Sequence, residues 1–219
     1  QKSANYGAPK CAPDSGKTLL IIGQDLGAVG GLSTYTNGYV DQVNTPVPAG
    51  VTTYTSIQNL NGLMALDNWG AGDVHGQAYL NDNTFENSFI VIGLYMVGAL
   101  GDINSGGKDQ NIRSLAQWIK SSNRPVFLRI GYEFEGPWNN YEPNAFKNAW
   151  KHIVHIFDEE EVRNVAYVWQ SAGLNYGNIS SWYPGDEYVN WMGYSQFDGK
   201  NVGNSIKNFA VQKDKPIMI

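Results

Sequence analysis

Seven short runs rich in Val, Ile, Leu and aromatics punctuate this chain, at residues 18–23, 51–56, 89–95, 126–130, 165–169, 189–193 and 216–219. Longer stretches with helical spacing lie between them. That alternation constrains the fold more than any other feature, because two strands joined through a helix return to the same edge and must pair parallel. Over 109–121, Ile112, Leu115, Ala116 and Ile119 share one helical face. Over 143–157, Phe146, Ala149, Trp150, Ile153 and Phe157 do the same, and Pro143 suits the first turn. A shorter pattern runs over 201–209, and a weak one over 72–84.

Polar residues gather just after the strands, as in Gln24-Asp25, Glu133-Phe134-Glu135 and Ser195-Gln196. Chemistry at the carboxyl ends of parallel strands fits a (β/α)8 TIM barrel or an open doubly wound sheet. No GxGxxG or GxxxxGK[ST] motif follows a strand, which counts against a nucleotide-binding sheet and favours the barrel. A complete barrel usually takes about 250 residues, and the seventh run is still in progress at Ile219. The expectation is one (β/α)8 catalytic domain over residues 1–219, C-terminally incomplete and ending inside strand seven.

Composition narrows the partner. The net charge is −5, and no Lys/Arg cluster exceeds two residues, so nucleic acid and anionic membrane surfaces are excluded as expected partners. Charged residues make up 16%, against about 25% in an average domain, while Trp and Tyr number 7 and 13. Such a surface suits a polar, uncharged ligand. No apolar run approaches the roughly 20 residues of a membrane span. Cys11 stands alone, so no disulfide or thiolate metal site forms within the chain. The start at Gln1-Lys2-Ser3 reads as a mature terminus or a cut end, compatible with export. His152 and His155 lie three apart on one helix, but no acidic partner shares their face, and no metal is expected. A Gly-x-Ser-x-Gly elbow is absent, which leaves a serine esterase without support.

The segment Arg129-Ile130-Gly131-Tyr132-Glu133-Phe134-Glu135-Gly136-Pro137-Trp138-Asn139-Asn140-Tyr141 carries the chemistry. A strand emerges into a carboxylate, then a Gly-Pro turn, then aromatics. Glycosidic hydrolysis needs a proton donor for the leaving oxygen and a second carboxylate facing the anomeric carbon. It also needs flat aromatic faces for the apolar patches of pyranose rings, which Trp138 and Tyr141 are placed to supply. Glu135 cannot be the second carboxylate, since two residues on one strand exit cannot face each other across a scissile bond. Arg129 shares the parity of Glu133 and is expected to point into the barrel, to orient a carboxylate or to form an interior salt bridge.

This block resembles the acid/base strand of glycoside hydrolase family 26, a retaining barrel family to which many β-mannanases belong. Leu20-Ile21-Ile22-Gly23-Gln24-Asp25 looks like its first strand, and Gly93-Leu94-Tyr95-Met96 like its third. The Tyr183-Pro184-Gly185-Asp186-Glu187-Tyr188-Val189 stretch is similar to its loop into strand six. The resemblance implies that Glu133 is the general acid/base and that the nucleophile is a Glu directly beyond the seventh run. Two departures stand out: Tyr132 replaces a His usual in mannanase-type members, and Ser195-Gln196-Phe197 replaces an Asp-x-Tyr pattern. The Tyr-Glu-Phe form is closer to the β-1,3-xylanase branch.

The expectation is therefore a secreted, monomeric, retaining endo-glycoside hydrolase without a cofactor, acting on a neutral polysaccharide or oligosaccharide, with β-1,3-xylan ahead of β-mannan. Gln24, Asp25, His75, Arg129, Tyr132, Trp138, Trp169, Tyr194 and Gln196 are the candidate substrate contacts. The alternatives are a carbohydrate-binding barrel without hydrolysis and a barrel hydrolase of another family acting on a marine galactan.

Overall fold

The computed structural model describes residues 10–23, 25–31, 38–42, 45–66, 74–174, 178–197 and 203–219. Seven strands, β1 (Ile21–Ile22), β2 (Gly50–Ser56), β3 (Phe89–Tyr95), β4 (Val126–Ile130), β5 (Val165–Ser171), β6 (Trp191–Tyr194) and β7 (Ile217–Met218), form one sheet in chain order. Every pairing is parallel. Helices α1 (Leu26–Val29), α2 (Gly76–Asn81), α3 (Leu100–Asn104), α4 (Asp109–Ser122), α5 (Pro143–Glu159) and α6 (Asn204–Gln212) fill the crossovers.

The two long helices form where periodicity predicts them. In α4, Ile112, Leu115, Ala116, Trp118 and Ile119 are buried, and Asn123 ends the helix in the left-handed conformation. In α5, Pro143 opens the helix, and the Glu142 carboxylate accepts from the amides of Asn144 (3.1 Å) and Ala145 (2.8 Å). Those bonds, the one from Ala145 foremost, hold the Glu142 carboxyl below its ordinary value. The weak pattern over 72–84 resolves into α2 followed by a 3-10 turn at Asn83–Phe85. Helix α3 has too few apolar positions to announce itself in the sequence.

Strand parity sorts the core into two shells. Val126, Leu128 and Ile130 of β4 pack outward under the helices. Phe127 faces inward with Phe89, Val91, Ala166, Val168 and Trp191. The inner rings are in contact, Phe89 to Phe127 at 4.6 Å and Phe127 to Trp191 at 5.3 Å between centroids. A flat seven-stranded sheet would hold its edges roughly 29 Å apart at about 4.8 Å per strand. Instead Leu19 and Ile21 near one edge and Ile217 and Met218 at the other line a single groove of ≈ 360 Å³, with Phe127 and Trp191 at its base. The sheet is curled into most of a barrel, with its carboxyl ends gathered at one mouth. The edge strands β1 and β7 are shorter than the apolar runs at 18–23 and 216–219, since each has a ladder partner on one side only among the described residues.

Candidate active site

The site begins where β4 leaves the sheet. Gly131 has φ +53, and a Cβ there would sit 2.7 Å from Met96 Cε and 2.9 Å from the Phe146 ring, so only glycine fits. Glu133 also adopts a positive φ, 57°, a conformation that costs a residue with a side chain about 1–3 kcal/mol and must be held by its surroundings. The holders are identifiable. The Glu133 carbonyl accepts from the Gly136 amide at 2.8 Å and from Asn139 Nδ2 at 2.8 Å. Asn139 Nδ2 also donates to the Tyr132 carbonyl at 3.1 Å. Phe134, wholly buried, stacks on Trp169 at 4.4 Å and anchors the turn in the outer core.

This turn aims the Glu133 carboxyl across the mouth. Ser195, just past β6, donates its hydroxyl to Oε1 at 2.6 Å, and Trp138 Nε1 donates to Oε2 at 3.1 Å. Behind Ser195, Gln170 Nε2 donates to the serine oxygen at 3.0 Å. Behind Gln170, buried Arg129 donates from Nη1 to Oε1 of the amide at 2.9 Å. The chain of bonds has one direction: Arg129 has donors only, so the Gln170 oxygen must face it and the amide nitrogen must face Ser195.

Arg129 is itself packed between aromatic rings. Its guanidinium carbon lies 4.9 Å from the Tyr54 ring centroid and 5.2 Å from that of Tyr132. Tyr54, Gly93 and Arg129 are in register on three adjacent strands. A Cβ at Gly93 would sit 2.5 Å from the Tyr54 ring and 2.9 Å from Arg129 Nη2, so this glycine leaves room for both side chains over β3. Burial pushes the Tyr132 phenol well above its ordinary value.

The structure thus brings Arg129, Tyr132, Glu133 and Trp138 together. Trp138 is 55% exposed, with a ring available to a ligand. Gly136 lies directly beneath that ring, where a Cβ would come within 2.5 Å. Asp25 stands exposed at the exit of β1, where its carbonyl accepts from the Ala28 and Val29 amides of α1. Gln196 is exposed just after β6, and Gln24 lies outside the described residues.

Three candidates are placed elsewhere. Trp169 has the outward parity of Tyr167 and is 0% exposed, enclosed by Phe134, Tyr183 and Phe209, so neither face is open to a sugar. Tyr194, 2% exposed, also points outward, against Gly203 and beneath Lys207. His75 is half-buried at the N-terminal end of α2, next to Val74, whose carbonyl accepts from Thr53 in the middle of β2. Burial lowers its pKa. Gln170 and Ser195 hold the inward positions that Trp169 and Tyr194 lack. Carrying parity two residues past Val168 and Gly193 finds them.

Glu135 turns away from the mouth. Its carboxylate accepts from the Ser171 hydroxyl and from the Ala172 amide (2.9 Å) at the β5 exit. Tyr141 is half-buried, stacked on Phe146 at 5.7 Å. On α5, His152 pairs with Asp109 at 2.6 Å. No cluster of three or more His, Cys, Asp or Glu residues suited to a metal occurs among the described residues. No described helix is long and apolar enough to cross a membrane.

A β-1,3-xylanase from an Alcaligenes species is 32% identical over 218 residues, covering 96% of this chain and 44% of the relative. A β-1,3-xylanase from a Vibrio species is also 32% identical, with 96% and 45% covered. The chain spans less than half the length of these curated relatives. Among solved structures, a GH26 β-mannanase from Bacteroides ovatus superposes with a TM-score of 0.66 over 93% of this chain and 71% of its own. At 17% identity, the fold is what that structure shares. Residues 105–212, which contain Glu133 and every donor of its hydrogen-bond chain, match the model of glycosyl hydrolase family 26, so the segment that builds the site is the segment that resembles this family.

Proposed function

We propose that this chain carries the acid/base half of a retaining endo-glycoside hydrolase, with β-1,3-xylan its first substrate and β-mannan its second. The observation that carries this reading is the Glu133 carboxyl, held by a left-handed turn at the β4 exit, with one oxygen toward Ser195 and the other beside the exposed Trp138 ring. Glu133 gives its proton to the glycosidic oxygen while a second carboxylate attacks the anomeric carbon. The bond from that carbon to the leaving oxygen breaks as an ester bond to the enzyme forms. Glu133, now a carboxylate, takes a proton from water as the water oxygen displaces the ester.

The second carboxylate of a retaining pair sits about 5–5.5 Å from the first. Glu135 does not fill that role, because it is tied to the β5 exit. The family resemblance assigns it to a Glu following β7, on the far side of Ser195 from Gln170. Among the described residues the outer edges of β1 and β7 have no ladder partner and share one apolar groove, and an eighth strand seated there would complete the (β/α)8 barrel as one catalytic domain. The substrate preference rests on the two β-1,3-xylanase relatives, which cover nearly the whole chain, and on Tyr132 and Ser195, where mannanase-type members differ. An uncharged glycan suits the aromatic, charge-poor mouth and needs no cofactor or oligomeric partner. A polymer too large to enter a cell places the enzyme outside it, as a secreted protein.

The test is Glu133→Gln, made in a protein that extends past β7 to include the second carboxylate and assayed by reducing-sugar release on β-1,3-xylan, β-mannan and galactan. The amide keeps the shape and removes the proton, so the rate on the favoured polymer should fall roughly 10²–10⁴-fold. Undiminished hydrolysis by this variant would sink the assignment. Binding of xylan without cleavage by that extended protein, with Glu133 intact, would favour a carbohydrate-binding barrel.

A further inference from the structure

Ser195 does no chemistry in the scheme above, yet it makes the shortest contact to the acid/base. We infer that Ser195 is a positioning residue that fixes which oxygen of Glu133 carries the transferable proton, a deduction that rests on the acid/base reading of Glu133.

The argument follows the direction of the hydrogen bonds. A serine hydroxyl has one proton and can accept as well as donate. Here its accepting side is taken by Gln170 Nε2 at 3.0 Å, and Gln170 cannot turn over, because its oxygen faces the donor-only Arg129 at 2.9 Å. Arg129 is in turn held by the Tyr54 and Tyr132 rings and the gap over Gly93. The serine proton therefore points at Glu133 Oε1, 2.6 Å away. A proton placed on Oε1 along that same line would meet the serine proton head-on. Oε2 also accepts a donor, Trp138 Nε1, but at 3.1 Å and from an exposed side chain, so the transferable proton is directed to the remaining lone pair of Oε2, on the side of the open mouth. After transfer, the same serine proton steadies the carboxylate until it accepts a proton from water.

Removing this hydroxyl should therefore impair proton delivery more than binding. Ser195→Ala should lower kcat on the natural polymer roughly ten- to a hundredfold, the factor typical of one hydrogen bond to a charged group, with KM little changed. An aryl glycoside of the same sugar with a strongly acidic leaving phenol needs little help from an acid. Its burst of phenol release should be nearly as fast in Ser195→Ala as in the unaltered enzyme. Ser195→Thr retains the hydroxyl and should restore polymer hydrolysis. Gln170→Met, which frees the serine to rotate, should give a smaller loss with the same dependence on leaving group.

Equal losses on both substrates, or no rescue by threonine, would show that Ser195 merely supports the fold and would overturn the inference. A Ser195→Ala enzyme at full speed on polymer would overturn it too. These outcomes are separate from failure of the underlying reading, which shows instead as an active Glu133→Gln enzyme.

Discussion

Two carboxylates leave β4 two residues apart and meet opposite fates. Glu133 reaches over the mouth, where its partners are a hydroxyl, an indole N–H and open space. Glu135 is pulled sideways to the β5 exit, where the Ser171 hydroxyl and the Ala172 amide occupy its oxygens. Burial pushes the Glu135 carboxyl above its ordinary value against those bonds. Residue type does not separate the two. The backbone does: the left-handed turn at Glu133 and the wedge of Phe134 between them set their directions. A carboxylate with a free approach can exchange a proton with a ligand, whereas one whose oxygens are spent on the neighbouring strand end can only brace the turn.

That contrast breaks most severely at Glu133 itself, where the amide substitution removes two to four orders of magnitude of polymer hydrolysis while Glu135→Gln should leave the enzyme hydrolytic. Next in size is Phe134→Ala. Phe134 is fully buried against Trp169, Phe146 and Trp182, so truncation should cost about 3–5 kcal/mol, read as a lower denaturant midpoint. If the wedge sets both carboxyl directions, hydrolysis per folded molecule must fall as well. A destabilised variant with unchanged kcat would show that the turn keeps its shape without the ring.

The alternation of strands and helices was legible because it reflects burial, and burial writes itself into periodicity. The β4 segment and Glu133 were legible because a carboxylate, a Gly-Pro turn and a Trp sit contiguously. Positions assembled from separate strands were harder. Gln170 looks like a residue beyond the fifth strand until that strand is seen to extend to Ser171. Trp169, bulky and aromatic, draws attention as a sugar platform, although it faces the helices with Tyr167 on one side of the strand while Gln170 faces inward with Val168. The same one-residue offset separates buried Tyr194 from Ser195. Tyr54 is signalled only indirectly, by the glycine that interrupts β3 at Gly93. Side-chain alternation was available in the sequence, but the ends of the strands, which set its phase at the mouth, were not.

Trp138→Phe sharpens the comparison from the Glu133 side. It keeps an aromatic face and deletes the Nε1 donor, so kcat on polymer should fall about tenfold or less, because the bond is half in water. KM should move little, whereas Trp138→Ala, which also removes the stacking surface, should raise KM. If Phe and Ala variants behave alike, the indole acts only as a surface and not as a donor to Glu133.

The smallest effect belongs to Glu135, and it is a matter of pH. Its folded pKa lies above the unfolded value because burial penalises the charge more than Ser171 and Ala172 relieve it. Between those two values the folded state binds more protons than the unfolded state, so stability falls as pH rises through that window and is regained as pH drops. Glu135→Gln removes the titration. Thermal midpoints of the two proteins, measured from below the ordinary glutamate range to neutrality, should therefore drift apart as pH rises, with the unaltered protein losing the larger share. Parallel curves would mean that the two acceptor bonds at the β5 exit fully offset burial, and that Glu135 is held there as comfortably charged as an exposed glutamate.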